Sequence, residues 1–407
     1  MLDNYTTTLA PRVTRLRRSP TAAISERIRA LRSEGRQVDN LGEGELDFET
    51  PQHIRNAAHD AIEAGDTKYT AVGGTPALKA AIIRKLEVEN GLTYKHSEVI
   101  AGCGAKSLIL NAMLATLREG DEVIVPAPYW VSYPDMVSLA DGKPVIVNCE
   151  ENAGWKLRPE ALEAAIGPRT RWVILNSPNN PTGAVYGPEE YAALAGVLLR
   201  HPQVMVLADD IYELLRFERS YVALPQIEPR LKSRTLLVNG VSKSYSMTGW
   251  RVGYAAGPQT MIGAMEVLQS QSTSNPTSIS QAAAARALEA GTGFVGDWIS
   301  TLRSRRDIVI SVLNATPGFR CSEPEGAFYV FVNVAGLLGC RTPAGKLIEN
   351  DLDVATYLLN EAGVGVVHGA AFGMSPYVRI AYAVDTDVLR AACDRIRKAC
   401  EKLVRPS

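Results

Sequence analysis

The stretch RTLLVNGVSKSYSMTGWRVGYAAGP, residues 234–258, decides the fold. An apolar, β-branched run ends in a loop of serines and glycine that carries one lysine, Lys243. Eight residues later Arg251 interrupts a second apolar run. A solvent lysine needs no such setting, and a core strand excludes both charges. Charges placed directly after buried strands belong to a site at the ends of a sheet, so the rest of the chain should hold matching runs.

It does. SEVIAG (97–102), DEVIVPAP (121–128), KPVIVNC (143–149), TRWVILNSP (170–178) and QVMVLADD (203–210) are apolar on both parities. That pattern is expected of strands buried on both faces of a mostly parallel sheet. AKSLILNAMLATLREG (105–120) reads as a helix ending on Gly120, and PEALEAAIG and PEEYAALAGVLLR supply two more helical patterns. The alternation predicts an α/β layered domain. Beyond about residue 300 the order changes. ISTLRSRRDIVISVLNA and VLRAACDRIRKACEKLV read as helices around two strands, GAFYVFVNV and YVRIAYAV, which form a smaller α+β domain. The expected division is an N-terminal arm and part of the small domain over 1–50, a large domain over 51–300 and the small C-terminal domain over 301–407.

The 407 residues are 46% hydrophobic and 21% charged, with a formal net charge of -1. This is an ordinary globular composition with no general attraction to nucleic acid or anionic membrane. The most basic stretch, RVTRLRR (12–18), reads as a solvated or interface-bound terminus. The six cysteines are scattered without a Cys-x-x-Cys pair, and no histidines are spaced beside them as ligands, so no metal site is expected. Scattered unpaired cysteines, a terminus without an apolar signal core, and the lack of a membrane-length apolar run give a cytoplasmic expectation.

Ligands of open α/β sheets bind beyond the carboxyl ends of the strands. The segments there are GCGAKS, PAPYW, NSPNNPTG, ADDIY and GVSKS. Gly102 and Gly104 either make a tight strand-to-helix turn or free helix N-terminal N–H groups for an anion. As a dinucleotide fingerprint the pattern fails, because Ser107 stands at the third glycine position. Asp209 directly follows an apolar run, where a buried carboxylate needs a cationic partner such as a protonated heteroaromatic nitrogen. Asn179 and Asn180 offer amide donors to a phenolate, Arg251 offers charge to a phosphate, and Trp130 or Tyr129 offers a ring face. Lys243, desolvated near other cations, becomes an amine nucleophile able to form a Schiff base. Together these parts answer what pyridoxal 5'-phosphate requires of a protein.

On these residues, and above all on GVSKSYSMTGWRVG, the chain resembles the class I aminotransferases among the fold type I pyridoxal-phosphate enzymes, and within them the bacterial aspartate aminotransferase branch. The similarity runs from RSPTAAISERIRAL to the last helix. It implies a large domain with a mostly parallel seven-stranded sheet plus a smaller α+β domain. It implies that Lys243 carries the cofactor as a Schiff base and shuttles the substrate Cα proton. Asp209 would hold the pyridine nitrogen protonated, and Tyr212 and Asn180 would bond the phenolate oxygen. Arg251 and the N–H groups of Gly104, Ala105 and Lys106 would hold the phosphate, with Trp130 on the ring. Arg379, in SPYVRIAYA, matches the arginine that grips the substrate α-carboxylate as a bidentate pair. Gly44 would admit the substrate against the backbone. Tyr69 matches a tyrosine that reaches the neighbouring subunit's phosphate, which implies a homodimer with shared sites. Lys106, Ser19 and Thr21 match positions that hold a distal carboxylate, and Arg15 matches an arginine that some relatives use toward prephenate.

The resemblance therefore predicts transfer of an amino group from aspartate or glutamate to a 2-oxo acid. The alternatives on the same fold are a prephenate or aromatic aminotransferase and a β-eliminating lyase. A regulator retaining this fold would carry a DNA-binding domain ahead of it, and an NAD oxidoreductase would leave Lys243 without a role. Three positions depart from the family pattern: Leu46 stands where proline is usual, Gly240 where other branches have a phosphate-binding serine, and Pro20 where small residues are common.

Overall fold

The computed structural model describes residues 10–16 and 19–405. Arg17 and Arg18 of the basic stretch, and residues 1–9 of the segment read for a signal, lie outside the described residues.

The predicted apolar runs form one seven-stranded sheet. Its strands are β1 (Val99–Gly102), β2 (Glu122–Ala127), β3 (Lys143–Asn148), β4 (Thr170–Asn176), β5 (Met205–Asp209), β6 (Thr235–Gly240) and β7 (Gly253–Ala256). Their order is β1-β7-β6-β5-β4-β2-β3, and only β7 runs against the rest. The two strand parities explain the two faces. Val123, Val125, Ile174 and Leu207 pack on Leu108, Ile109 and Met113 of the helix Ala105–Thr116. Their neighbours Ile124, Val173, Leu175 and Val206 pack on Tyr191, Leu194 and Leu198 of the helix Pro188–Arg200. Each such side chain contributes about 1.5–3 kcal/mol on full burial, so a sheet covered on both sides tolerates few polar residues except at its ends.

Two local expectations are corrected. KPVIVNC is the edge strand β3, half-covered rather than buried, and Ile146 is exposed there. The helix expected to end on Gly120 ends at Thr116, because Leu117 turns extended and the Arg118 N–H donates to Asp121 Oδ2 at 3.0 Å, starting a separate turn. Gly120 lies in that turn with φ +84°.

A second sheet is antiparallel and four-stranded: β8 (Arg320–Cys321), β9 (Tyr329–Asn333), β10 (Val367–His368) and β11 (Tyr377–Ala381), in the order β10-β11-β9-β8. Its core joins Val330, Val332, Val378 and Ile380 to Leu302 and Val309 of the helix Val295–Asn314 and to Leu389 and Ile396 of the helix Thr386–Glu401. The N-terminal part of the chain is attached here, since Asp39–Asn40 pairs in parallel with Val364–Gly365. Among the described residues no helix is long and apolar enough to cross a membrane.

Candidate active site

The carboxyl ends of β1, β2, β4, β5 and β6 and the start of β7 open onto one cavity of about 320 Å³. Among the described residues it is lined by four cationic side chains, Lys106, Lys243, Arg251 and Arg379, and one acid, Asp209. A concave site with that imbalance calls for an anionic occupant.

Lys243 lies just past β6. Its side chain keeps some contact with the cavity while its ammonium lies at depth, donating to the Gly44 carbonyl. Burial lowers the ammonium to about 8; Glu45 opposes that shift, and Arg379 and Arg251 reinforce it. The amine is thus easily freed of its proton.

Asp209 ends β5. Tyr133 donates to its Oδ2 at 2.6 Å and the Ile211 N–H to its Oδ1 at 3.3 Å. Burial nevertheless raises the carboxyl to about 6, since no basic side chain among the described residues forms an ion pair with it. Asn176, at the end of β4, donates to the Asp209 carbonyl at 2.8 Å and accepts the Asn180 N–H at 2.9 Å, so one amide fixes both residues.

Gly104 has φ +87°, and a Cβ on it would stand 2.4 Å from Arg251 Nη2. A Cβ on Gly253 would stand 2.3 Å from the Ala105 nitrogen. The two glycines let β7 and Arg251 close against the N-terminus of a twelve-residue helix, where free N–H groups and the helix dipole favour an anion. Arg251 is oriented by donation to the Thr248 carbonyl at 2.9 Å. Lys106 lies over the Trp130 ring, 4.8 Å from its centroid, and burial followed by the Arg251 charge lowers its pKa.

Arg379, on β11, is 2% exposed. Its Nη1 donates to Asn180 Oδ1 at 2.9 Å and its Nη2 to the Gly42 carbonyl at 2.6 Å, while its Nε is buried without a partner. The guanidinium lies over the rings of Tyr329 and Phe372 and, among the described residues, pairs with no carboxylate. A buried cation left this way is incomplete without an anionic ligand.

The remaining predicted residues divide. Gly44, Ala105, Trp130, Asn180, Tyr212 and Thr21 line the cavity. Ser19 stands behind Thr21, bonded to its hydroxyl at 2.9 Å and capping the helix Pro20–Ser33, for which Pro20 suits the first turn. Arg15 does not face the cavity; it pairs with Asp141 at 2.5 Å on the surface. Tyr69 is 92% exposed and lines no part of this chain's cavity. A serine at Gly240 would be tight, since a Cβ would stand 3.0 Å from the Gly253 Cα, and Leu46 is buried in the core of the small sheet. Sequence reasoning missed Tyr133, Tyr329 and Asn176. Only Asn176 carried a signal, as the residue opening the NSPNNPTG segment.

The family model "Aminotransferase class I and II" matches residues 36–396. The chain is 51% identical over 395 residues to an aspartate aminotransferase of Rhizobium meliloti, covering 97% of this chain and 96% of that protein. It is 53% identical over 396 residues to an aspartate/prephenate aminotransferase of Cereibacter sphaeroides, covering 97% and 99%. Among solved structures, the aspartate aminotransferase from Rhizobium meliloti superposes with a TM-score of 0.94 over 97% of this chain and 99% of that one, at 51% identity. The Thermus thermophilus aspartate aminotransferase with maleate superposes with a TM-score of 0.90 at 38% identity, over 97% of this chain and 100% of that one.

Proposed function

The chain belongs to the class I and II aminotransferases, of fold type I and dependent on pyridoxal phosphate, and from that premise we propose that it moves the amino group of aspartate or glutamate to a 2-oxo acid in a shared-site homodimer in the cytoplasm. We take residues 51–300 as the large cofactor-binding domain, residues 1–50 as the N-terminal arm and part of the small domain, and residues 301–407 as the small C-terminal domain.

The observation that carries this reading is the cavity's charge pattern: among the described residues, four cationic side chains face one buried carboxylate that has no cationic partner. The residues fit the cofactor. The Gly104–Gly253 cradle and Arg251 suit a phosphate, and Asp209 lacks the cation that a pyridinium would supply. The partnerless Arg379 Nε suits the substrate's α-carboxylate. When bound, pyridoxal phosphate supplies an aldehyde that condenses with amines and a ring that accepts the electron pair released at the substrate Cα.

The chain's own residues do the rest. Lys243 Nζ is the amine that would hold the cofactor and, once the substrate's own amine has displaced it, the free base that takes up the Cα proton, a role served by its lowered pKa. Asp209, kept in place by Tyr133 and Ile211, stabilises positive charge at the ring nitrogen. Tyr212 and Asn180 donate to the phenolic oxygen. Arg379 sets the substrate's orientation, and Asn180, bonded to its Nη1, aligns both ends. Lys106 and Thr21, on the cavity wall, hold a second carboxylate, which agrees with maleate, a dicarboxylate, in the Thermus thermophilus structure. Prephenate as acceptor is the second reading, favoured by the name of the Cereibacter sphaeroides relative.

The visible spectrum of the purified, cofactor-loaded protein tests this with L-aspartate alone and no oxo acid present. Loss of the visible band with release of oxaloacetate is expected. A band indifferent to aspartate and glutamate would refute the dicarboxylate donor. Restoration of the band by prephenate would establish the second acceptor.

A further inference from the structure

Tyr329 lies on β9 of the small sheet, and Tyr212 follows β5 of the large one. Both are buried, and their hydroxyls meet inside the cavity at 2.9 Å. The Arg379 guanidinium covers one face of the Tyr329 ring at 4.5 Å. The glycine at 44 leaves space for the Tyr329 hydroxyl, since a Cβ there would stand 2.5 Å from it. We propose that Tyr329 is a positioning residue whose hydroxyl donates to the Tyr212 oxygen, leaving the Tyr212 proton aimed into the cavity and tying the sheet that carries Arg379 to the cofactor end of the site. The proposal rests on the role given to Tyr212 above.

The direction of the bond follows from the charges around it. Burial raises both phenols and the Arg379 cation lowers both, but at Tyr329 it is the leading opposing influence, whereas at Tyr212 the Asp209 carboxylate adds negative charge against it. Tyr329 is therefore the stronger acid, and the stronger acid donates. The charged groups facing the pair are Arg379 and Asp209. Lys243, which also lines the cavity, is faced in turn by Glu43, Glu45, Arg251 and Arg379. A donor aimed at the cofactor's phenolic oxygen competes with a proton arriving on the neighbouring nitrogen. Weakening that donor makes protonation easier.

The test is a pH titration of the visible band of the loaded protein, without turnover, in wild type, Tyr329→Phe, Tyr212→Phe and the double variant. Tyr329→Phe is expected to raise the midpoint by about 0.7 pH unit, about five-fold in the protonation constant and the worth of one net hydrogen bond. In the Tyr212→Phe background the same change should move it by less than about 0.2 unit, because the two act in series. Phenylalanine keeps its ring beneath Arg379, so KM for the amino acid should change less than kcat. Equal shifts in both backgrounds, or none in Tyr329→Phe, would overturn the proposal while leaving the function intact. A wild type with no band would overturn the functional reading and this proposal together.

Discussion

Asp209 shows how a single residue can be placed against its own solvation. Its carboxyl, raised to about 6 by burial, would titrate near 3.9 in the unfolded chain. Between those values the folded apoprotein binds more protons than the unfolded one, so stability falls as pH rises through that window and stays lower above it. The cost is on the order of 2–3 kcal/mol from the shift alone. Asparagine at this position keeps an acceptor for Tyr133 without the charge. The apoprotein's melting curves, compared with those of Asp209→Asn, should therefore diverge in the variant's favour between pH 4.5 and pH 8. Loading with pyridoxal phosphate should stabilise the wild type by mass action and should reverse the order at pH 8, because the ring nitrogen then supplies the missing cation. A difference that stays constant with pH would show that Asp209 is not held as a buried, unpaired acid.

At the scale of elements, the anion cradle depends on how closely β7 passes beneath the helix Ala105–Thr116. The contact is between backbones, so no rotamer change relieves it: a Cβ at Gly253 meets the Ala105 nitrogen at 2.3 Å and the Gly104 carbonyl carbon at 2.6 Å. Gly253→Ala should push the helix N-terminus away, costing about 1–3 kcal/mol of stability and at least about ten-fold in pyridoxal phosphate affinity. A fluorescence titration of the apoprotein with cofactor measures this, and unchanged affinity would remove β7 from the cradle. The elements themselves were legible because apolarity on both parities marks strands covered on both faces. That signal failed at KPVIVNC, where β-branched residues serve an edge strand as well as a central one. The loops after the strands were legible as a group because strand ends of one sheet converge. Residues such as Tyr133 and Tyr329 were not, since a tyrosine in an apolar run looks like core until its hydroxyl's partner is known. Arg15 was read by position alone, and its surface pairing with Asp141 is a tertiary fact that no local pattern carries.

At the scale of the whole molecule, the site described within one chain leaves Tyr69, like Arg15, outside it. Tyr69 is 92% exposed, yet its loop is held firmly. Gln281 donates to Thr70 Oγ1 at 3.0 Å and accepts the Thr75 N–H at 2.7 Å; Gln269 donates to the Val72 carbonyl at 2.7 Å, and Glu266 accepts the Gly73 N–H at 3.2 Å. Three buried or half-buried side chains spent on bracing an exposed aromatic make sense if a second copy receives it, and the resemblance assigns that copy's phosphate as the target. In an isologous dimer each site then holds Lys243 from one chain and Tyr69 from the other. Lys243→Ala should be inactive, and Tyr69→Ala should bind the cofactor weakly enough to be inactive at limiting pyridoxal phosphate. A heterodimer of the two variants places both defects in one site and leaves the other intact. Equal mixing followed by subunit exchange yields half heterodimers with one working site each, so the mixture should recover about a quarter of wild-type activity. Exchange verified by mass, with no recovery of activity, would mean that Tyr69 serves its own chain's site or none, and the shared-site assembly would fall with it.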